Sequence, residues 1–473
     1  MISLITLLLL GGPLAFLGYH CFKKIVFEGE VFYVVYFLVA FLSFNATLQI
    51  VVFDVTGSVE IAGAISYLKE LFLLIAICSW LFYQRNVFTY EFRLYRYDYV
   101  ALFFLAIVLA FYILPIGEAS FANKTIYLKN LLVLALMYFL GRNAQINENH
   151  VVKLAHLILI IIVVAFPVAL LEKLLYTHFQ SVIGYTDYVI AKGGEPTGRF
   201  GLQYTFQASS GAKRFASIFA SPLEMATVAI LAISAAFILY RTNMRLRLLY
   251  VFVGIMAFCC LFFSFSRAPI AAFFLMLVYI GYLYGYWRYI LGACVLMFFF
   301  ILIPFFFGSQ DLRFFIIDTI TFADPSSMGH VLDWVIGIES MVSNPEGIGM
   351  ATSGNAGGVD EALQVGGENQ FIVFGVQFGV LGMLLYLWLT VKSITLSKKV
   401  FKSSTGKDQV VPFITTTFKV AFLLSLMTAN AEIYNAVAYL SWWMVGYSVQ
   451  GQSRLYMNKS TDNAIIDLDG ERV

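Results

Sequence analysis

Residues 248–263 read LLYVFVGIMAFCCLFF, an uncharged run that continues to Ser266 before Arg267 interrupts it. A helix rises about 1.5 Å per residue, so roughly 20 such residues cross the ~30 Å hydrocarbon core of a bilayer. The segment 246–264 meets that requirement, and it lacks the alternation of apolar and polar residues that marks a barrel strand. Similar runs occur at 2–20, 30–52, 61–83, 99–115, 126–141, 151–176, 222–240, 268–284, 287–307, 368–391, 410–428 and 431–449. The reading is an all-α polytopic membrane protein of about 12–13 transmembrane helices. The runs at 99–115 and 126–141 are short, and Gly281 to Trp287, with Arg288, offers the alternative of two spans joined in a hairpin that does not cross fully.

Composition excludes the other classes. Of 473 residues 60% are hydrophobic and 17% aromatic, only 12% are charged, and mean hydropathy is +0.83. A soluble chain carries about 25% charged residues, so this one has too few to cover a water-facing surface. Soluble enzyme, disordered tail and nucleic-acid binder are ruled out, and the net charge of +2 indicates no polyanionic partner. Cys21, Cys78, Cys259, Cys260 and Cys294 lie in or beside apolar runs without metal-ligand spacing. They read as buried structural thiols, with no metal and no cofactor implied. Ile2 to Tyr19 has no basic residue before it and no small-residue cleavage site after it, so it reads as a retained span.

Basic residues orient the bundle. The alternate connections 21–29, 84–98, 142–150, 241–245, 285–288 and 392–409 hold Lys23, Lys24, Arg85, Arg93, Arg96, Arg142, Arg241, Arg245, Arg288 and five lysines between Lys392 and Lys407. The short connections between them add only Lys124 and Arg267. The first set is read as cytoplasmic, which puts the polar, irregular tail 450–473 there too, after a single transmembrane domain over 1–449. Two long loops, about 177–221 and 308–367, then share the outward face. The second holds eight acids and one base, Arg313. Within it, Val331, Trp334, Val335, Ile338, Met341 and Val342 recur at helical spacing, which predicts an amphipathic helix lying over the bundle. Loops this long are functional or disordered, and their apolar content predicts ordered lids. No internal repeat is visible, against the inverted-repeat transporters.

Ionisable residues at the membrane lip are functional candidates. Arg267 occupies a short outward connection, Lys213 and Arg214 precede the span at Pro222, and Lys69 and Lys129 fall near the outer ends of helices. The ordinary explanation is snorkelling to lipid phosphates or pairing with acids such as Glu70. Against it, arginine keeps its charge and grips phosphate oxygens through a planar fork, which suits the diphosphate of a membrane-held lipid. Glu368, just before the run from Phe371, sits where backbone amides of a helix start favour a carboxylate; as a first-turn acid it is unremarkable, but facing these cations it is a candidate general base. His330 is the second candidate, since its pKa suits proton transfer near neutrality. Lys419, Asn430 and Glu432 are further polar groups in or near spans. Asn344-Pro345-Glu346-Gly347-Ile348-Gly349 reads as a turn.

The succession Arg214-Phe-x-Ser-x-Phe-x-x-Pro222, Phe265-Ser266-Arg267, a long loop with Trp334 and Asn344-Pro345-x-Gly347-x-Gly349, then Glu368-Asn369-Gln370-Phe371 and Phe378-Gly379-Val380-Leu381-Gly382 resembles the O-antigen ligase and polymerase superfamily of bacterial envelopes. The resemblance covers about 214–392 and implies a GT-C-like, inverting, metal-independent glycosyltransferase in the bacterial inner membrane, with its active site toward the periplasm. It implies a polyprenyl-diphosphate-linked glycan donor and a glycan acceptor, with membrane lipid around them and a chain-length regulator protein as a further partner. By the same resemblance Arg214 and Arg267 hold the donor diphosphate; no family pattern assigns Lys69, Lys129 or Lys213, which are read as auxiliary cations from their place at the lip. Glu368 stands where ligases show a histidine before the Asn, which resembles polymerase-like members. Polymerisation of repeat units is therefore the first reading. Ligation is the alternative within the family, and a transporter or lipid-glycan flippase the alternative outside it. A membrane scaffold accounts least well for the arginines.

Overall fold

The computed structural model describes the chain apart from 85–93, 145, 147, 209–210, 309, 311–312, 314–315, 318–320, 322–324, 361 and 471–473, and apart from the side chains of 289, 301, 304, 325–327 and 453–470. Arg85, Arg93, Asp311, Asp318, Asp324 and Glu361 thus lie outside the described residues. Fourteen helices organise the rest: α1 Ile2–Glu28, α2 Tyr33–Thr56, α3 Val59–Tyr83, α4 Arg96–Ile113, α5 Phe121–Arg142, α6 Glu148–Leu175, α7 Pro222–Thr242, α8 Met244–Phe263, α9 Arg267–Tyr284, α10 Ile290–Phe307, α11 Pro325–Ser343, α12 Gln370–Ser403, α13 Val410–Thr428 and α14 Asn435–Gly470. Twelve helices are long and apolar enough to cross a membrane, and among the described residues there is no strand, only an isolated bridge between Gln207 and Lys213. The short runs form full helices in α4 and α5. Two separate helices flank 285–286. The apolar first half of α14 is buried, and its helix runs on through most of the polar segment read as irregular.

α2, α7 and α13 form the centre, most of their residues buried, while α1, α3, α4 and α10 present long exposed apolar faces. Such faces suit lipid, because within the bilayer helix association rests on close packing more than on escape from water. α5 and α14 make the tightest crossing: a side chain at Gly446 would place its Cβ 2.2 Å from the Tyr138 carbonyl oxygen. Cys21 and Cys260 are buried, but Cys78 and Cys294 are exposed on these outer faces, which corrects the expectation of five buried thiols.

α12 departs most from the sequence reading of one straight span over 368–391. Gly379 adopts φ 75°, ψ 175° inside it. Phe374 and Tyr386, twelve residues apart, would be separated by about 18 Å along a continuous helix; their ring centroids lie 4.6 Å apart. The segment 370–378 therefore folds back against the start of 380–403 as a helical hairpin. Only glycine serves at the reversal, because a Cβ there would meet the Pro345 carbonyl oxygen at 2.6 Å in a dihedral region closed to side chains. The turn at 344–349 packs onto this reversal, with the Val380 amide donating to the Pro345 carbonyl (2.9 Å) and the Ile348 amide to that of Val376 (2.8 Å). Two sequence motifs far apart in the chain thus build one junction.

α11 is also a helix as predicted, with its faces assigned otherwise. Val331, Val335, Ile338 and Val342 point outward, whereas Trp334, Gly337 and Met341 pack toward Ile372 and Val376 of α12. Its polar residues His330 and Asp333 turn toward Glu368. Four of the six predicted apolar residues therefore face the surroundings, while Trp334 and Met341 keep an apolar contact with the protein beside the polar His330 and Asp333.

Candidate functional site

The loop ahead of α7 is fixed by a carboxylate inside a span. Glu172, 3% exposed near the end of α6, accepts from the amides of Phe179 (2.8 Å) and Ser217 (2.7 Å). Gln180 donates to the carbonyls of Ser217 (2.7 Å) and Phe219 (3.1 Å), and Thr47 of α2 donates to that of Ile218 (2.7 Å). Residues 215–219 are buried by these bonds, with Ser217 at φ 54°. Arg214 is the next residue outward. Its amide donates to the Phe206 carbonyl, and the following amide, Phe215, donates to the Phe263 carbonyl at 3.2 Å. That last bond joins the Arg214 segment to the turn carrying Arg267.

Arg267 is half-buried as the first residue of α9, after Ser266 as N-cap and Phe265 at φ 48°. A cation at a helix N-terminus opposes the macrodipole. Guanidinium and helix amides together make a place for an anion. Lys213 is engaged locally: its ammonium donates to the Tyr176 carbonyl (2.7 Å) and lies over the rings of Tyr176 (4.7 Å) and Phe200 (4.8 Å). The same ammonium stands near His178, a ring caged by Phe200, Phe206 and Phe215 at 5.4–5.6 Å. Burial, and after it the Lys213 charge, pushes His178 down to about 4.

The second group is Lys69, Glu70 and Lys129. Lys129 donates to Glu70 at 3.1 Å and Lys69 lies 4.0 Å from the same oxygen, so two lysines share one carboxylate. Lys69 also feels Glu224, which caps α7 by accepting from the Ala220 amide while Ser221 accepts from the Glu224 amide.

The third group contains both candidate bases. His330 Nδ1 contacts Glu368 Oε2, each side chain about a third exposed, at 32% and 33%. Asp333, three residues further along α11, joins them: partial burial first, then the Glu368 charge, raises its carboxyl above the usual range, with His330 opposing. Asn369 caps the hairpin helix by accepting from the amides of Phe371 (3.0 Å) and Ile372 (3.3 Å), which fixes Glu368 at its mouth. Tyr434, its hydroxyl raised mainly by burial, feels both Glu368 and Glu224 and so lies between the second and third groups.

Behind this site Glu432 accepts from Tyr386 (2.5 Å) and from the Trp442 indole (3.2 Å to each oxygen), while its amide donates to Gln370 (3.3 Å). Lys419, 2% exposed, lies over the Trp442 ring at 4.7 Å and within the field of Glu432. Among the described residues no group of three or more His, Cys, Asp or Glu is placed to hold a metal ion.

The family model described as O-antigen ligase matches residues 252–387, from within α8 through the α12 hairpin. Over that stretch the chain is similar to the O-antigen ligase family. No curated protein matches the chain. The stretch shared with the O-antigen ligase family holds Arg267, His330, Glu368 and the Gly379 reversal, while Arg214, Lys69 and Lys129 come from outside it. Asp333, Glu172 and Glu224 were not singled out from sequence. For Glu172 and Glu224 the signal was present, since each is an acid inside an apolar span. For Asp333 it was not: one acid among eight in a loop has no distinguishing mark.

Proposed function

We propose that this protein is a member of the O-antigen ligase and polymerase superfamily and polymerises polyprenyl-diphosphate-linked repeat units at the outer face of the bacterial inner membrane. The contact between Glu368 and His330 carries the reading, because it joins two proton-transfer groups at the mouth of a helix on the face that also gathers the cations. Glu368 accepts the proton of an acceptor hydroxyl, with His330 relaying it. The hydroxyl oxygen attacks the anomeric carbon from the side opposite the diphosphate, inverting that centre. The bond to the departing lipid diphosphate breaks as charge builds on its oxygens, and Arg214 and Arg267, aided by Lys69 and Lys129, stabilise that charge without a metal. Ligation is the second reading, favoured by the family description and by a histidine standing in contact with the glutamate.

The test is the surface glycan of a host lacking the gene. Polymerisation predicts a single repeat unit, extended to a ladder by the wild-type copy. A long glycan left on its lipid carrier would instead identify a ligase, and an unchanged glycan would discard both. Glu368→Gln should lower turnover by about 10²–10⁴-fold, the usual contribution of a general base. Arg267→Lys should fail to restore activity although it keeps the charge, because the bidentate fork is lost. Wild-type turnover in Glu368→Gln would move the base to His330.

A further inference from the structure

A large cavity lies apart from Lys69, Arg214, Arg267 and Glu368. It has a volume of about 790 Å³ and runs between α4 and α5, floored by Phe374, Tyr386 and Leu389 of α12 and Trp442 of α14. That volume falls within the ~300–1,000 Å³ range of small-molecule sites. Its walls are aliphatic and aromatic, and it opens sideways where Leu102 is 50% exposed. An apolar hollow does not hold water, so its lining lacks contacts until an apolar group enters.

Its charged lining residues, Asp98 and Arg142, stand together at one end. There Arg142 Nε lies 3.4 Å from Asp98, the guanidinium covers the Tyr95 ring at 5.1 Å, and Arg96 is exposed at the start of α4. Among the described residues at this margin, Arg96 and Arg142 stand against Asp98. From Asp98 to Val108, the apolar far wall, the cleft follows ten residues of α4, about 15 Å, half of a ~30 Å hydrocarbon core. An occupant therefore has an anionic head at the Arg142 end and an apolar chain one leaflet long.

We propose that this cleft binds a phospholipid drawn from the leaflet on the Arg142 side, with an acyl chain between α4 and α5 and its phosphate at Arg96 and Arg142. The leaflet is the cytoplasmic one under the orientation read from the basic residues. The lipid is distinct from the proposed donor. The donor's diphosphate belongs at the opposite face with Arg214 and Arg267, and a polyprenyl chain entering this cleft head-first would put its diphosphate at the wrong end.

Photolabelling of the purified full chain in nanodiscs tests this, using phosphatidylglycerol with a diazirine near the end of one acyl chain and, separately, a diazirine-bearing polyprenyl phosphate. The phospholipid probe should label residues 101–108 and 131–139 well above α10, whose lipid face is the reference. Leu105→Trp and Ala135→Trp, which fill the cleft, should bring that label down to the α10 level while the protein still elutes as one species. Arg96→Gln should weaken labelling by the anionic probe. Equal labelling of α4, α5 and α10 in the wild type overturns the proposal and needs no variant. Labelling of the cleft by the polyprenyl probe alone also overturns it and assigns the cleft to the donor tail. The measurement uses no glycan, so its outcome is independent of the glycosyl-transfer reading.

Discussion

At the scale of single residues, the energetic question is where charge is tolerated inside an apolar bundle. Glu432 is 7% exposed, yet its oxygens meet Tyr386 and Trp442 and its charge is answered by Lys419. Burial of such a pair gains little, but removal of one partner leaves the other charged and desolvated, at a cost of about 3–5 kcal/mol. Glu432→Ala is expected to lower the thermal unfolding midpoint in detergent markedly, and Glu432→Gln, which keeps the acceptor for Tyr386 and Trp442, by less. Equal midpoints for Glu432→Ala and wild type would show that Lys419 is not held by this carboxylate. Because the Glu432 amide also grips Gln370, two residues after Glu368, damage here should reach the candidate base.

Secondary-structure elements set the geometry of the site. The reversal at Gly379 allows Glu368 to stand at the mouth of a short helix wedged between α11 and the rest of α12. Alanine there incurs about 1–3 kcal/mol from its dihedral angles alone, with a backbone clash added, so Gly379→Ala should reduce the folded yield and abolish activity in whatever protein remains. Gel filtration and glycan synthesis report the two effects separately. In the first outer loop the relevant element is the aromatic cage around His178. Neither ring nitrogen has a hydrogen-bond partner among the described residues, and Lys213 is the charged group facing it. The folded pKa of about 4 lies below the ~6.5 of a free histidine. The unfolded loop therefore binds the proton first, and its stability falls as pH drops from about 6.5 toward 4, then levels. Limited proteolysis of the loop should accelerate across that window in the wild type and not in His178→Phe. An identical pH profile in the variant would remove His178 as the cause.

Across the whole molecule the distribution of charge has two poles. Lys398 meets Tyr282 and Lys407 meets Asn149 at the basic face, and the candidate site occupies the other. The proposed chemistry requires the basic face to be cytoplasmic. In intact cells, with Cys78 and Cys294 changed to alanine, an impermeant maleimide should label Gly193→Cys and spare Thr405→Cys. The opposite pattern would invert the orientation and place Arg214, Arg267 and Glu368 on the wrong side for an outer-face donor.

The sequence by itself determined the bilayer as solvent and the approximate position of nearly every helix. Each of these follows from local composition, since about 20 apolar residues cross a membrane whatever surrounds them. Its periodicity also revealed α11 as a helix, but not which face turned inward, because an apolar stripe packs equally against protein or lipid. Only the tertiary structure decided that α12 reverses at Gly379, that the 344–349 turn locks that reversal, that Asp333 and His330 converge on Glu368, and that Glu172 anchors the Arg214 loop. These depend on contacts between residues up to 45 positions apart in the chain, and hydropathy is blind to them. A glycine inside an apolar run reads the same whether the helix continues or turns back; the backbone packed against it makes the difference.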